Sequence, residues 1–262
     1  MEVKPVIVVT GASRGLGAAI ARWLGTAGAH VVLTARTPAD LERTAAEIRP
    51  QGGEVFVLSG DMADLEFCRR LVQKSEAHFG RLDALVNNAA LVEPLATVQE
   101  ADPAAWVHNL AVGLAGPFYL TQAALPLLRK YGGRVVNVSS GAAQTALPGA
   151  SAYCATKAAL NHFTRVLAVE EPRVTCLAVR PGVVDTRMQQ VLRTPGSGKL
   201  PEAQVAYYQQ LKDDQRLEPP DVPGRAIAWL ALEAPREWSG DFLNYDDPRI
   251  VAAANRRWGN GP

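Results

Sequence analysis

Cysteine is scarce in this chain: Cys68, Cys154 and Cys176 are the three in 262 residues, widely spaced and without a CxxC pair. That excludes a disulfide framework and a thiolate zinc site, and points to a reducing compartment in which the thiols serve packing. Charge of one sign is lacking too. Lys plus Arg number 27 against 26 Asp plus Glu, a formal net charge of +1, so no polyanion-binding surface is indicated and nucleic acid is not an expected partner. Long apolar runs are also missing. The opening MEVKPVIVVTG holds an acid and one short apolar stretch, too short for the apolar region of a secretion signal, and no later run approaches membrane-spanning length. The expectation is a soluble, cytoplasmic protein with no membrane contact. His30, His78, His108 and His162 are scattered without ligand spacing, so no metal site is expected.

What is present is an alternation of short β-branched runs with longer stretches of helical period. Residues 5–10, 30–35, 54–59, 84–88, 134–140 and 173–180 read as strands, and 15–27, 39–49, 64–79, 102–131 and 151–170 as helices, the fourth of them broken. The strands are apolar on both faces, so helices must cover both sides of the sheet. The expected fold is α/β: one doubly wound Rossmann-type domain over 1–262, with a mostly parallel sheet of about seven strands and ligands at the strands' carboxyl ends. No repeat or Gly/Ser linker divides the chain. After Arg180 the text turns polar and is interrupted by Pro and Gly; 187–220 reads as a lid over the site, and composition fits a solvated surface loop equally well.

Gly11, Gly15 and Gly17 follow the first strand and open a helix. Gly11 suits a tight turn, Gly15 lets backbone approach a pyrophosphate, Gly17 allows close helix packing, and the helix amino terminus faces the phosphates. The residue that reads the adenosine ribose belongs at the end of the second strand. There the chain has Arg36, close to the ~20-residue offset expected for that position, and Arg14 in the glycine turn reaches the same region. Two guanidiniums suit a 2′-phosphate, so NADP(H) is expected over NAD(H). Asp40 and Glu42 fall beyond Thr37-Pro38, which reads as the cap and first turn of the next helix.

Tyr153 and Lys157 stand at i, i+4 on one helix face, after Ser140 at a strand end. A carbonyl that accepts hydride needs a positioned proton donor with a pKa near the working pH. Two unit charges ~4 Å apart at an effective dielectric near 20 interact by roughly 4 kcal/mol, enough for Lys157 to lower the tyrosine's pKa by about three. Ser140 can donate a second hydrogen bond to the same oxygen.

These residues together resemble the compact short-chain dehydrogenase/reductases, over nearly the whole chain. Thr10 through Gly17 match the family's TGxxxGxG, Asp61 its adenine-flanking acid, and Asn87-Asn88-Ala89-Ala90 its NNAG segment, with Ala90 in place of the glycine. The resemblance implies that Ser140, Tyr153 and Lys157 are catalytic. It implies cofactor contacts from Gly11, Ser13, Arg14, Gly15, Leu16, Gly17, Arg36, Asp61, Met62, Asn88, Tyr153, Lys157, Pro181, Gly182, Val184 and Thr186, with Pro181-Gly182 passing under the nicotinamide. It also implies a homodimer or homotetramer through the helices around 102–131 and 151–170. One position departs: the family's fourth catalytic residue, an asparagine holding a relay water, is Gly113 here. Asn109, one turn earlier, either reaches that water or is an exposed helix residue.

The run EEPRVTCLAVRPGVVDTRMQ and the ending SGDFLNYDDP are similar to the sepiapterin-reductase-like and benzil-reductase-like branch. Asn244 stands where sepiapterin reductases have a pterin-anchoring Asp, with Asp246 and Asp247 reading as a solvated turn, which counts against a pterin. Ala142, Ala143, Leu147, Pro148 and Met188 give an apolar wall suited to an uncharged carbonyl substrate. The leading expectation is an NADPH-dependent carbonyl reductase acting on a ketone or dicarbonyl. Alternatives are a sepiapterin or pterin reductase, an NADP-binding sensor whose catalysis is weak or lost, and a Rossmann enzyme of another chemistry.

Overall fold

The computed structural model describes residues 3–194 and 200–259. Seven strands form one parallel sheet: β1 (Val6–Thr10), β2 (His30–Thr34), β3 (Val55–Val57), β4 (Ala84–Asn87), β5 (Arg134–Val138), β6 (Thr175–Arg180) and β7 (Phe242–Asn244), in the order β3-β2-β1-β4-β5-β6-β7. The order reverses between β1 and β4, and ligands of such sheets bind in the crevice at that reversal.

Alternate residues along the strands enter two separate apolar cores, as the period of two requires. Ile7, Val9, Val31, Leu33, Val136 and Val179 join one core, and Val6, Val8, Val32, Leu85, Val135 and Cys176 the other. The first core is closed by α1 (Gly15–Thr26), α2 (Pro38–Ile48), α9 (Asp221–Glu233) and α10 (Pro248–Trp258), the second by α3 (Leu65–Phe79), α5 (Gly116–Tyr131) and α6 (Ser151–Glu170). Strands apolar on both faces therefore do have helices on both sides. Cys68 and Cys176 are free thiols inside the second core, whereas Cys154 is half-buried on α6. Trp258 packs on Trp23 and Trp238 on Trp229, both against the first core.

Three sequence expectations change. The helix read as broken over 102–131 runs on: α4 (Pro103–Leu110) joins α5 through a π turn, Ala111–Ala115. The resulting Pro103–Tyr131 is long and apolar enough to cross a membrane by length and composition, where no such run was expected. Its Leu120, Ala124 and Leu128 are buried against the sheet. Secondly, 187–220 carries two helices, α7 (Arg187–Arg193) and α8 (Glu202–Asp213), in place of a loop; residues 195–199 of that span lie outside the described residues. Thirdly, α9, β7 and α10 had not been placed; β7 spans only three residues.

Candidate active site

The glycine turn is held in the reversal crevice by its own backbone. Gly11 and Gly15 have φ of 65° and 55°, which side chains disfavour. A Cβ on Gly17 would lie 2.2 Å from the Gly11 carbonyl oxygen, and one on Gly11 2.9 Å from Asn88 Nδ2. Ala12 N donates to Thr34 O at 3.1 Å, tying the turn to the end of β2. Thr10 Oγ1 accepts from the backbone N–H of both Asn88 and Ala89, and Asn88 Nδ2 donates to Thr10 O at 2.9 Å. The turn, the NNAA segment and β1 thus form one hydrogen-bonded unit. Leu16 is buried and Ser13 half-buried, and α1 has neither a side-chain cap nor an acid in its first turn, leaving its amino terminus open to an anion.

Arg14 and Arg36 are exposed and have no partner among the described residues. The nearby acids are already used: Asp40 pairs with Arg43 at 2.5 Å and Glu42 with Arg49 at 2.9 Å, both acids on α2. Asp61 Oδ1 accepts from Ala63 N at 2.9 Å, which shapes the turn before α3. The Met62 side chain lies in the second core, so of the two residues only Asp61 offers a side chain to a ligand.

Across the crevice, Pro181 and Gly182 leave β6, and Gly182 has φ of 76° with the Tyr245 ring packed beside it. Val184 is buried. Thr186 faces the glycine turn, its Cγ2 3.1 Å from where a Cβ on Gly15 would stand. Arg193 on α7 pairs with Asp185 at 3.6 Å, bracing that helix against the loop it follows.

Ser140, Tyr153 and Lys157 come together at the ends of β5 and α6. Ser140 caps a single 3-10 turn, accepting from Ala142 N at 3.2 Å, and hydrogen-bonds Tyr153. Lys157 is 3% exposed and donates to Val138 O at 2.7 Å. Burial lowers its pKa to about 8. The tyrosine behaves otherwise than expected. Burial raises its pKa, the bond from Ser140 offsets part of that, and Lys157 does not counter it. The ammonium stands over the ring, 5.7 Å from its centroid. Tyr153 thus holds its proton more tightly than a free phenol does.

A buried polar chain joins the elements that carry this group. Asn87 Nδ2 donates to Asn137 Oδ1, and Asn137 Nδ2 to Thr164 Oγ1, both at 2.8 Å, linking β4, β5 and α6. Sequence reasoning passed over it, although asparagines inside apolar strands were its visible signal. Asn109 is likewise not as expected. It is fully buried, its Nδ2 donates to the carbonyls of Leu91 and Glu93 at 3.0 and 2.7 Å, and its Oδ1 accepts from Thr156 Oγ1 at 2.8 Å. It is neither exposed nor equipped with a spare N–H for a relay water; it clamps the 91–93 loop to α6.

The wall beside Tyr153 is apolar, built from Leu147, Val183, Met188, Leu192, Tyr208 and Leu211 among others. Of the residues expected there Leu147 and Met188 take part, whereas Ala142 is buried elsewhere and Ala143 and Pro148 lie outside the cluster. Asn244 is exposed at the end of β7. Asp247 is consumed as the cap of α10, accepting from Arg249 N and pairing with its guanidinium. Asp246, between them, is exposed.

A positive-φ glycine turn at the reversal point, an uncapped helix start, unpaired guanidiniums and a Ser/Tyr/Lys group facing them fit a nicotinamide dinucleotide. Comparison with known proteins agrees. The short chain dehydrogenase family model matches residues 5–196. Benzil reductase ((S)-benzoin forming) IRC24 of Saccharomyces cerevisiae is 35% identical over 259 residues, covering 94% of this chain and 97% of that protein. The solved structure of the YIR035C short chain dehydrogenase/reductase from the same yeast superposes with a TM-score of 0.89 at 35% identity, over 95% of this chain and 98% of that one. That of the KRED1-Pglu enzyme gives 0.87 at 36%, over 91% and 100%. Proteins of this kind use a nicotinamide cofactor, and with the fold, the turn and the Ser/Tyr/Lys group in one crevice the chain belongs to the short-chain dehydrogenase/reductase family of oxidoreductases.

Proposed function

We propose that the protein is an NADPH-dependent carbonyl reductase acting on a ketone or dicarbonyl. The observation that carries this reading is the placement of a half-buried Tyr153 beside Ser140 and against an apolar wall, at the mouth of the dinucleotide crevice. NADPH supplies the hydride. The chain's own residues do the rest: Ser140 turns its hydroxyl from Tyr153 to the substrate oxygen, and Tyr153 delivers its proton to that oxygen as negative charge develops. Lys157 holds the next proton in the line and, being buried, keeps it within reach of neutral pH. The glycine turn and α1 take the pyrophosphate, and Arg14 with Arg36 the 2′-phosphate.

A cytoplasmic homo-oligomer is part of the proposal. Val107, Leu114, Phe118 and Phe163 line an apolar groove on the outer side of α4, α5 and α6, and a second copy docking there would bury the outer face of the long apolar helix. The test of activity is loss of NADPH absorbance with diketones, quinones, aromatic ketones and a pterin, comparing the native protein with Tyr153→Phe. Turnover abolished by that change supports a reductase. NADPH binding with no turnover on any carbonyl favours a sensor.

A further inference from the structure

We propose that Tyr208, on helix α8, is a specificity-determining residue whose hydroxyl hydrogen-bonds the second carbonyl oxygen of a vicinal dicarbonyl while the first is reduced at Tyr153. The inference rests on the carbonyl-reductase reading and adds a residue and a substrate class to it. Two adjacent tyrosines on α8 are treated oppositely by the fold. Tyr207 is 49% exposed, whereas Tyr208 is 6% exposed and shares one cluster with Tyr153, Met188 and Leu192. Leu211, one turn on, is buried with it, so this face of α8 is the roof of the site.

A roof made for apolar substrates alone would carry a phenylalanine at that point. A buried phenol needs a partner, and among the described residues Gln204, one turn earlier on the same helix, bonds this hydroxyl. Tyr208 and the Tyr153 ring pack in one apolar cluster with Leu147, Met188 and Leu192, so the roof tyrosine and the proton donor share one wall of the site. Ser140 and Tyr153 already supply both donors that one carbonyl oxygen takes. The Tyr208 hydroxyl is then surplus for a monoketone and faces an apolar group, an unfavourable pairing. With a 1,2-dicarbonyl it meets the neighbouring oxygen.

The chemistry balances without further reactants. Hydride from NADPH forms a C–H bond at one carbonyl carbon, the Tyr153 proton goes to that oxygen, and NADP+ and an α-hydroxyketone leave. The second carbonyl is untouched and accepts from Tyr208 throughout. The test uses two substrates of one skeleton, benzil and deoxybenzoin, the latter having a methylene where the second carbonyl stands. In Tyr208→Phe, which retains the ring packing, the ratio of kcat/KM for benzil to that for deoxybenzoin should fall about tenfold, mostly through the KM of benzil, in line with one neutral hydrogen bond. The exposed Tyr207→Phe should leave the ratio at its native value. An unchanged ratio in Tyr208→Phe overturns the inference while leaving the reductase reading standing. A native protein that reduces neither compound, nor any other carbonyl, removes both.

Discussion

The Thr156 methyl occupies the space above Gly113: a Cβ built on Gly113 would lie 2.5 Å from Thr156 Cγ2. The threonine cannot rotate away without cost, because its hydroxyl donates to the buried Asn109 at 2.8 Å. The position at which the resemblance implies an asparagine is thus filled from the neighbouring helix. Restoring asparagine is then an overpacking substitution. Gly113→Asn should lose about 1–3 kcal/mol of stability and gain no turnover. Thr156→Ser removes the methyl and keeps the hydroxyl, so the double variant should recover most of the loss in a denaturant melt. A Gly113→Asn protein as stable as the native one would show that the methyl is no obstacle.

Asn109 is predicted to matter for stability. Asn109→Ala strands the carbonyls of Leu91 and Glu93 and the Thr156 hydroxyl, at about 1–3 kcal/mol for each group that water does not reach. Asn109→Asp should be worse, since a carboxylate would face two carbonyl oxygens. Thermal melts of both variants check this ordering. Native-like melts with slow turnover would instead assign Asn109 to the proton relay.

How far the sequence could be read follows from the range over which each feature is decided. The strands and the glycine turn were legible because β-branched runs and glycine spacing act locally, and Tyr153 and Lys157 because i, i+4 places two side chains on one face whatever the tertiary context. The helices of the 187–220 span went unread because α7 and α8 are short and polar, with Leu192, Arg193, Tyr208 and Leu211 as their buried residues. Asn109 looked like a surface residue since nothing local tells a buried asparagine from a solvated one; its partners are 16 to 47 positions away. The acidity of Tyr153 was overestimated for the same reason. Spacing shows that a lysine is near, but not that its ammonium is turned to Val138 O or that the lysine is out of water.

Cofactor choice is expected to rest on Arg36. Replacing an unpaired guanidinium by a carboxylate at the end of β2 exchanges a charge-assisted contact with a 2′-phosphate for repulsion, while a ribose hydroxyl gains an acceptor. Arg36→Asp should weaken NADPH relative to NADH by at least about tenfold, as one charged hydrogen bond of 1.5–3 kcal/mol implies. Fluorescence titration with both nucleotides measures it. If their relative affinities do not move, the 2′-phosphate lies elsewhere.

The pH dependence of reduction should follow Lys157. Its pKa is lowered by burial from 10.5 to about 8, whereas that of Tyr153 is raised, so the lysine is the first of the two to lose its proton as pH rises. Turnover in the reductive direction needs the proton line filled; kcat/KM should hold below about pH 8 and decline above it. Stability should move the other way. Between about 8 and 10.5 the unfolded chain binds the lysine proton and the folded one does not, so unfolding becomes harder as pH rises through that window. Opposite trends in activity and stability over one pH range distinguish titration of this lysine from general alkaline unfolding, in which the two would fall together. Lys157→Arg should remove the break near pH 8 from both curves, at reduced activity, because arginine keeps its proton throughout; a break that persists in that variant would assign it to another group.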